Sequence, residues 1–202
     1  MKNENSYHHG DLRNTLITIG TEMLAEEGSQ ALSLRKLAKR AGVSHNAPYM
    51  HFADKEALLA AIAEEGFRLL SVAFEAAVQA APAEDWPAQF QAGCWAYVQF
   101  ALDHPDQLQM MIRPFEAAKY PSLSKTSLGA LERLRELVAA GQAQGYVKTG
   151  DSWEIAGVVW SLLHGIATIW AGQKMPSAVM AGRSRAALTQ AFAQHLYEGL
   201  SD

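Results

Sequence analysis

The chain contains 202 residues, of which 49% are hydrophobic and 19% charged, a balance typical of a folded globular protein rather than a disordered one. Its formal net charge of −4 lies entirely in the later part, because residues 1–60 hold seven basic and seven acidic residues whereas residues 61–202 hold ten and fourteen. The single cysteine, Cys94, excludes an intrachain disulfide and a multi-cysteine metal site, and residues 1–14 lack the apolar core of a secretory signal. We therefore expect a cytoplasmic protein.

Helical spacing of apolar residues extends over most of the chain, and strand alternation, hairpin turns and internal repeats are not evident. Caps, glycines and prolines divide this pattern after a polar lead-in at residues 1–11. The predicted helices comprise residues 12–28 (capped by Asp11), 34–41, 45–51, 54–80 (capped by Asp54), 86–103, 105–112, 122–144, 151–172 and 183–200. We expect an all-α fold in which a three-helix helix-turn-helix head (residues 1–60) is joined by a long helix to a larger helical-bundle body (residues 61–202).

The stretch that follows Ser33 predicts two short helices joined by a tight turn. The Ser33 hydroxyl can cap the first helix, and Gly42 can end that helix in the left-handed conformation. Val43 can then fill the angle between the helices while Ser44 caps the second one, which is the arrangement of a helix-turn-helix. Pro48 falls near the start of the second helix, where a missing N–H costs least.

Positive charge is concentrated around this motif, because residues 35–55 carry five basic side chains against a single acidic one, Asp54. The five are Arg35, Lys36, Lys39, Arg40 and Lys55. A cationic patch on a helical corner suits a phosphate backbone. Alternatively, the basic residues of the first helix are only the solvated face of an amphipathic helix, and charge alone does not decide between the two.

The sequence AGVSHNAPYMHFADKEALL, which begins at Ala41, resembles the DNA-binding segment of the tetracycline-repressor (TetR/AcrR) family of bacterial transcriptional regulators. In that family the short second helix of the motif enters the major groove. The candidate DNA-binding residues are Ser33, Arg35, Ser44, His45, Asn46, Ala47, Tyr49, His51 and Lys55.

The resemblance implies a division of labour among these residues. Residues 45–47 would face bases, Tyr49 and His51 would approach phosphates or the groove wall, and Lys55 would meet a phosphate at a helix N-terminus. The residue types suit these roles, since histidine and asparagine can donate and accept at base edges and a phenol hydroxyl can donate to phosphate. Asn46 could instead be a capping residue, and Tyr49 a half-buried packing residue.

Two positions depart from the commonest pattern of the family. Asn46 stands where Gly is frequent, and Met50 stands where Arg is frequent, which puts a phosphate contact at that position in doubt. The lead-in YHHGDLR, which begins at Tyr7, resembles the opening of many family members, in which it lies close to DNA. The His8-His9 pair could instead belong to a metal site or be the remnant of a purification tag.

Residues 155–172, with the sequence IAGVVWSLLHGIATIWAG, contain no charged residue. This length approaches that of a membrane span, yet Ser161 and His164 lie inside it and acidic residues precede it, so we expect no membrane association. A helix that is apolar on all sides belongs in a core or an interface. The segment from Trp160 to Gly165 also resembles the Trp-His-Gly type of C-terminal ligand-binding domain found in part of the family.

Small side chains leave a groove on this helix in which another helix can pack closely, and the last helix presents an apolar face of its own. We therefore predict a two-fold homodimer formed through residues 151–172 and 183–200. The predicted interface residues are Gly157, Ser161, Gly165, Leu188, Phe192 and Leu196. The alternative is that both helices only close the core of their own chain.

Aromatic and thioether side chains are frequent between residues 86 and 172, which suits an adaptable and mainly apolar pocket for a small molecule. The candidate lining residues are Trp95, Phe100, Met110, Met111, Phe115, Trp160 and His164. Each can instead be an ordinary core residue. His164, the ionisable group inside the chargeless helix, can bond a ligand or satisfy a backbone carbonyl in the interface, and both roles stay open.

Sequence motifs of enzymes are not evident, since no Walker loop, HExxH, GxSxG, GxGxxG or paired-cysteine motif occurs. We expect no catalytic residue, metal or cofactor. The expected function is a ligand-responsive transcriptional regulator, most simply a repressor that binds palindromic double-stranded DNA as a homodimer and is released by a small apolar effector. The alternative is a helical small-molecule-binding protein or enzyme that retains the head as a scaffold.

Overall fold

The computed structural model describes the backbone of residues 9–200 and the side chains of residues 12–200. Within residues 9–200 it contains nine α-helices, one 3₁₀ segment and no β-strand. The helices are α1 (His9–Ala31), α2 (Leu34–Arg40), α3 (Lys55–Ala80), α4 (Trp86–Asp103), α5 (Pro105–Met111), α6 (Pro121–Ala143), α7 (Ser152–Ala171), α8 (Ser177–Met180) and α9 (Arg185–Leu200), and the 3₁₀ segment is Pro48–Met50. The predicted all-α fold is confirmed.

Local capping signals explain where the helices begin. Ser33 Oγ accepts a hydrogen bond of 3.2 Å from the Lys36 N–H, and Asp54 Oδ1 accepts one of 2.8 Å from the Ala57 N–H. Each side chain thereby satisfies a backbone donor that the first turn of a helix leaves without a partner. Gly42 has the left-handed φ of 67° that was expected of it after α2.

The chain departs from the predicted helices at two places besides the recognition motif. Helix α1 begins at His9, before the predicted cap Asp11, and it continues past a break at Gly28 to Ala31. The rest of the predicted lead-in, including His8, lies outside the described residues. Helix α8, with four residues, was not predicted, because a single turn is too short to show a periodic pattern.

The second helix of the predicted motif is not an α-helix, so the prediction of a helix over residues 45–51 is wrong. The backbone instead forms i+3 to i hydrogen bonds: Ala47 N–H donates to Ser44 O at 3.0 Å, and Tyr49 N–H donates to Asn46 O at 3.1 Å. Pro48 is the physical reason, because it has no N–H to donate to Ser44 O as an α-helix would require. The N-cap position of the 3₁₀ segment falls on Ala47 and has no side-chain cap, so Ser44 does not fill that role.

The chain divides into two compact units, each built from two pieces of sequence. The first unit comprises Met1–Gly66 and Asp106–Ser124, and the second comprises Phe67–Pro105 and Lys125–Asp202. Residues 106–124, which contain all of α5 except Pro105, therefore pack with the N-terminal residues although they follow α4 in sequence.

The core of the first unit joins α1, α2 and the beginning of α3. Leu16, Leu37, Leu58 and Ile62 are each fully buried. A Cβ atom added at Gly20 would lie 3.2 Å from Ile62 Cδ1, so the glycine permits a close approach of α1 to α3. This packing provides the rigid support behind the helix-turn-helix.

The core of the second unit is centred on Trp86, at the start of α4. Its indole Nε1–H donates to Leu137 O at 2.8 Å, and its ring stacks on Phe90 and Tyr146 with centroid separations of 5.0 and 5.6 Å. A Cβ atom at Gly141 would overlap the Trp86 ring, so α6 needs a glycine there. Helix α4 also packs against α7 and α9, which places one side of each of these two helices in the core.

Candidate nucleic-acid interface

The recognition segment, which we define as residues 44–52, is held at its middle and at its C-terminal end by buried side chains. Pro48 is buried and Phe52 is only 2% exposed, and both lie among the residues that join the segment to the rest of the first unit. The turn before the segment is closed by Val43 N–H, which donates to Ala38 O at 3.1 Å. These anchors leave most of the other side chains of the segment exposed to solvent, and only Ala47 and His51 are half-buried.

The predicted DNA-binding residues fall into two groups by exposure. Tyr49 is 49% exposed and its ring stacks on that of His45, with centroids 5.9 Å apart. Met50 is 82% exposed, so the segment presents an apolar side chain to solvent at this position. The exposed group is Arg35, Ser44, His45, Asn46 and Tyr49, and the half-buried group is Ser33, Ala47, His51 and Lys55.

Two cations of α2 are engaged by carboxylates of α1. Lys36 Nζ lies 3.0 Å from Glu27 Oε2, and Arg40 Nη2 donates to Glu26 Oε1 at 2.7 Å. The hydrogen bond from Arg40 holds the pKa of Glu26 below its usual value. Within the described residues these two cations tie α2 to α1, which supports a structural role for their charge.

The remaining cations of the motif have different surroundings. Arg35 and Lys39 are exposed, and no carboxylate partner is found for either among residues 12–200. Lys55 Nζ donates to Gln30 O at 3.1 Å, a neutral partner that leaves its charge uncompensated. The positive charge available to an anion is therefore smaller than the sequence count implies, and it is divided between Arg35, Lys39 and Lys55.

Arg13 is a further cation beside the recognition segment, and it was not among the predicted DNA-binding residues. Its guanidinium carbon lies 5.7 Å from the centroid of the Phe52 ring, and the side chain is exposed. Such stacking restrains the guanidinium while leaving its N–H groups available to an acceptor. Its position as the last residue of the YHHGDLR sequence is the signal that could have identified it.

The predicted pocket residues are divided between the two units. Met110, Met111 and Phe115 belong to the first unit, whereas Trp95, Phe100, Trp160 and His164 belong to the second. Phe100, Met110 and Met111 are buried, Trp95, Phe115 and His164 are half-buried, and Trp160 is 42% exposed.

His164 connects α7 to α4 through Tyr97, which was not among the predicted lining residues of the pocket. The Tyr97 hydroxyl and His164 Nδ1 are 3.1 Å apart, and the Trp160 ring stacks on the imidazole with centroids 5.8 Å apart. Burial lowers the pKa of His164 and raises the pKa of Tyr97 to about 12, so both groups are neutral at pH 7. The two residues are separated by too much sequence for local patterns to reveal the pair.

Helix α7 has one buried side and one exposed side, and the exposed side is a shallow groove. The groove floor carries the small residues Gly157, Ser161, Gly165 and Thr168, which follow one another at helical spacing. Larger apolar residues, all between 39% and 50% exposed, border it: Trp153 and Trp160 along one edge, and Val158, Leu162 and Ile169 along the other. We call this set of residues the α7 groove.

The predicted interface residues on α9 are not equally accessible. Leu188 is only 1% exposed and belongs to the core of its own chain, so its predicted place in a dimer interface is wrong. Its side of α9 packs on α4, and a residue buried there cannot also contact a partner. Phe192 and Leu196 are half-buried and remain candidates.

Among the described residues, α7 is long and apolar enough to cross a membrane by length and composition. The buried side of α7 packs within the second unit, and core helices of globular proteins meet the same criterion, so this is not evidence of insertion. Residues 12–200 contain no group of three or more His, Cys, Asp or Glu side chains arranged to hold a metal ion.

Comparisons with known proteins agree with these features. The family model described as "Bacterial regulatory proteins, tetR family" matches residues 16–62, and the model "Tetracyclin repressor-like, C-terminal domain" matches residues 90–195. The tetracycline repressor protein class A from transposon 1721 of Escherichia coli is 49% identical over 51 residues, which cover 25% of this chain and 24% of that protein. The chain thus spans about a quarter of the length of the curated relatives it matches.

Solved structures are similar over nearly the whole chain. A protein of unknown function from Rhodococcus sp. RHA1 has a TM-score of 0.84 and 36% identity, and the match covers 98% of this chain and 100% of that one. A TetR-family transcriptional regulator from Pectobacterium atrosepticum has the same fold, with a TM-score of 0.72, 24% identity and 98% coverage of both chains. Since the C-terminal family model alone covers more than half of the sequence, the chain belongs to the tetR family of bacterial regulatory proteins, a family of regulators and not of enzymes.

Proposed function

We propose that this protein is a ligand-responsive DNA-binding transcriptional regulator, which acts in the cytoplasm as a repressor on a palindromic operator. The proposal rests on the recognition segment. Its buried residues Pro48 and Phe52 hold the segment in place, while His45, Asn46 and Tyr49 stay exposed. Side chains that can donate and accept hydrogen bonds are thereby exposed on a rigidly held segment, as contact with base edges requires.

The exposed and half-buried residues divide the recognition task by chemistry. His45 and Asn46 can bond base edges, and Ala47 can contact a thymine methyl group. Tyr49 and Lys55 can donate to phosphates, which would fix the register of the segment without selecting a sequence. Arg35 and Arg13 add exposed cations, and the half-buried His51 would approach the groove wall.

A single helix-turn-helix with so few cations binds DNA weakly, so the proposal includes a homodimer. The α7 groove is the proposed interface, because small residues on its floor permit close approach of a second helix and the apolar residues on its edges need covering. Phe192 and Leu196 of α9 would complete the interface. Two helix-turn-helix motifs related by a two-fold axis would contact half-sites about 34–36 Å apart, or one further turn of the DNA helix apart.

The proposed effector is a small and largely apolar molecule that contacts the cluster of Tyr97, Trp160 and His164. Aromatic faces and two neutral hydrogen-bonding groups suit a ligand with a broad apolar surface and one polar group. Helix α3 has residues in both units, so a change at its C-terminal half can alter the position of its N-terminal half, which follows the recognition segment. An effector that weakens DNA binding 100-fold must bind the conformation that is released from DNA more tightly than the DNA-binding conformation, by about 2.7 kcal/mol.

The experiment that tests the proposal is selection of bound duplexes from random DNA by the full-length protein. Enrichment of a two-fold symmetric sequence, with affinity that falls as salt rises, is the expected result. Repeating the selection with apolar small molecules should identify an effector that reduces the enrichment. A protein that binds such molecules but enriches no duplex at low salt would instead be a small-molecule-binding protein with the helix-turn-helix as a scaffold.

A further inference from the structure

Residues 106–124 pack closely on the part of α3 that follows the recognition segment. The side chain of Gln107 is buried, and its Nε2 donates to Ile62 O at 3.1 Å. A Cβ atom at Gly66 would lie 2.7 Å from Met111 Sδ, so α5 and α3 are in tight contact there. A segment that is remote in sequence is therefore part of the unit that contains the proposed DNA interface.

Lys119, in the connection after α5, reaches the first turn of α3. Its Nζ lies 2.9 Å from Glu56 Oε2 and 3.6 Å from Asp54 Oδ2. The hydrogen bond from Lys119 lowers the pKa of Glu56, and the Ala57 N–H followed by Lys119 lowers the pKa of Asp54. Both carboxylates are therefore ionised at neutral pH, and one ammonium group is shared between them.

These two carboxylates stand on either side of Lys55 in sequence. Lys55 is the proposed phosphate contact at the start of α3, and without a counterion Asp54 and Glu56 would place two negative charges beside the phosphate it is to bind. At physiological ionic strength the screening length is about 8 Å, so charges on adjacent residues still act on the same phosphate. The local balance around Lys55 thus depends on a cation from a distant part of the chain.

We infer that Lys119 is a positioning residue of the DNA interface, which offsets part of the negative charge of Asp54 and Glu56 so that Lys55 can bind phosphate. The inference rests on the proposed function, and it adds a determinant of DNA affinity from outside the helix-turn-helix. Lys119 itself acts through the carboxylates and does not contact DNA. Because the pair is exposed, it contributes little to folding stability, and its effect is expected on DNA binding.

The test is a double-mutant cycle on the full-length protein, with DNA affinity measured on the selected duplex at low salt. Lys119→Gln should weaken binding about threefold to tenfold, because it leaves Glu56 and Asp54 without their counterion. Glu56→Gln should leave binding unchanged or strengthen it slightly. The double variant Lys119→Gln/Glu56→Gln should recover most of the affinity, and Asp54 is left in place because it caps α3.

Two controls separate this role from a general charge effect and from a structural one. Lys125→Gln removes the same charge from an exposed position in the second unit and should change affinity less than twofold. The thermal midpoint of all variants should stay within a few degrees of the wild type, as expected for an exposed ion pair.

The outcomes distinguish this inference from the proposed function. If the wild type binds its duplex and Lys119→Gln binds equally well, the inference is wrong and the proposed function stands. If the double variant is as weak as Lys119→Gln, Lys119 contacts DNA or supports the fold instead, which also overturns the inference. If the wild type binds no duplex at all, the proposed function and the inference are both wrong.

Discussion

The recognition segment and the α7 groove are both exposed, and they differ in what they expose. The recognition segment presents His45, Asn46 and Tyr49, all of which can form hydrogen bonds with water when no partner is bound. The α7 groove presents large apolar residues, including Val158 and Leu162, around a floor of small ones. The polar surface loses little free energy by facing water, whereas the apolar one would gain free energy from being covered.

This difference separates two kinds of function. Exposed apolar surface costs roughly 25 cal/mol per Å², so a groove of this kind is expected to be covered permanently by another chain. Exposure of the polar recognition segment to water costs little free energy, so its partner can associate and dissociate as conditions change. A permanent dimer that binds DNA reversibly needs one surface of each kind.

The largest effect is expected from a charge placed in the α7 groove. A Cβ atom at Gly165 meets no atom within 4 Å, so Gly165→Arg should fold normally while preventing a second helix from approaching. We expect the protein to become a monomer of 22.0 kDa by light scattering and to lose on the order of 100-fold in DNA affinity, because each corner then binds alone.

The matched control is Val72→Arg, which places the same charge at an apolar residue of α3 that is 53% exposed. This variant should remain dimeric. A Gly165→Arg protein that stays dimeric at micromolar concentration would show that the α7 groove is not the interface.

A smaller effect should separate free cations from paired ones within the first unit. Arg13→Ala removes an exposed guanidinium beside Phe52 and should weaken DNA binding about fivefold to tenfold, with the slope of log K against log salt reduced by about 0.9. Arg40→Ala removes a cation already paired with Glu26 and should leave the slope unchanged. Equal slopes for both variants would mean that the pairing does not determine which cations bind phosphate.

The smallest effect should appear in the second unit on acidification. Burial holds the pKa of His164 below its ordinary 6.5, so the folded protein binds the proton less readily than the unfolded chain. The contribution of neutral His164 is complete above pH 6.5 and is lost as the pH falls through the lower folded value. The thermal midpoint of wild type should therefore decrease more steeply than that of His164→Gln between about pH 7 and pH 5, and parallel curves would contradict this assignment.

Sequence was sufficient where one residue determines the local structure. Ser33, Gly42 and Asp54 occupy the predicted capping positions, because a cap depends on residues only a few positions away. The missing N–H of Pro48 was evident from the sequence. Its structural consequence, a 3₁₀ segment in place of an α-helix, depends on which neighbouring backbone groups form the remaining hydrogen bonds.

The contacts that sequence could not predict join distant residues. Arg40 pairs with Glu26 and Tyr97 pairs with His164, and neither pair leaves a periodic pattern. Leu188 has the spacing of an exposed apolar face, yet its burial against α4 could be known only from the packing of the second unit. Lys119 was not selected because nothing near it in sequence indicates that it lies beside the start of α3.

The most direct test of DNA recognition by this segment is the affinity of Tyr49→Ala/Lys55→Ala for the selected duplex, measured by fluorescence anisotropy over a salt series. The matched control is Lys148→Ala, an exposed cation of the second unit. We expect the double variant to bind every duplex roughly 30-fold to 100-fold more weakly, with a flatter salt dependence, while the control binds as the wild type does. Unchanged affinity and slope in the double variant would contradict the assignment of the recognition segment to DNA.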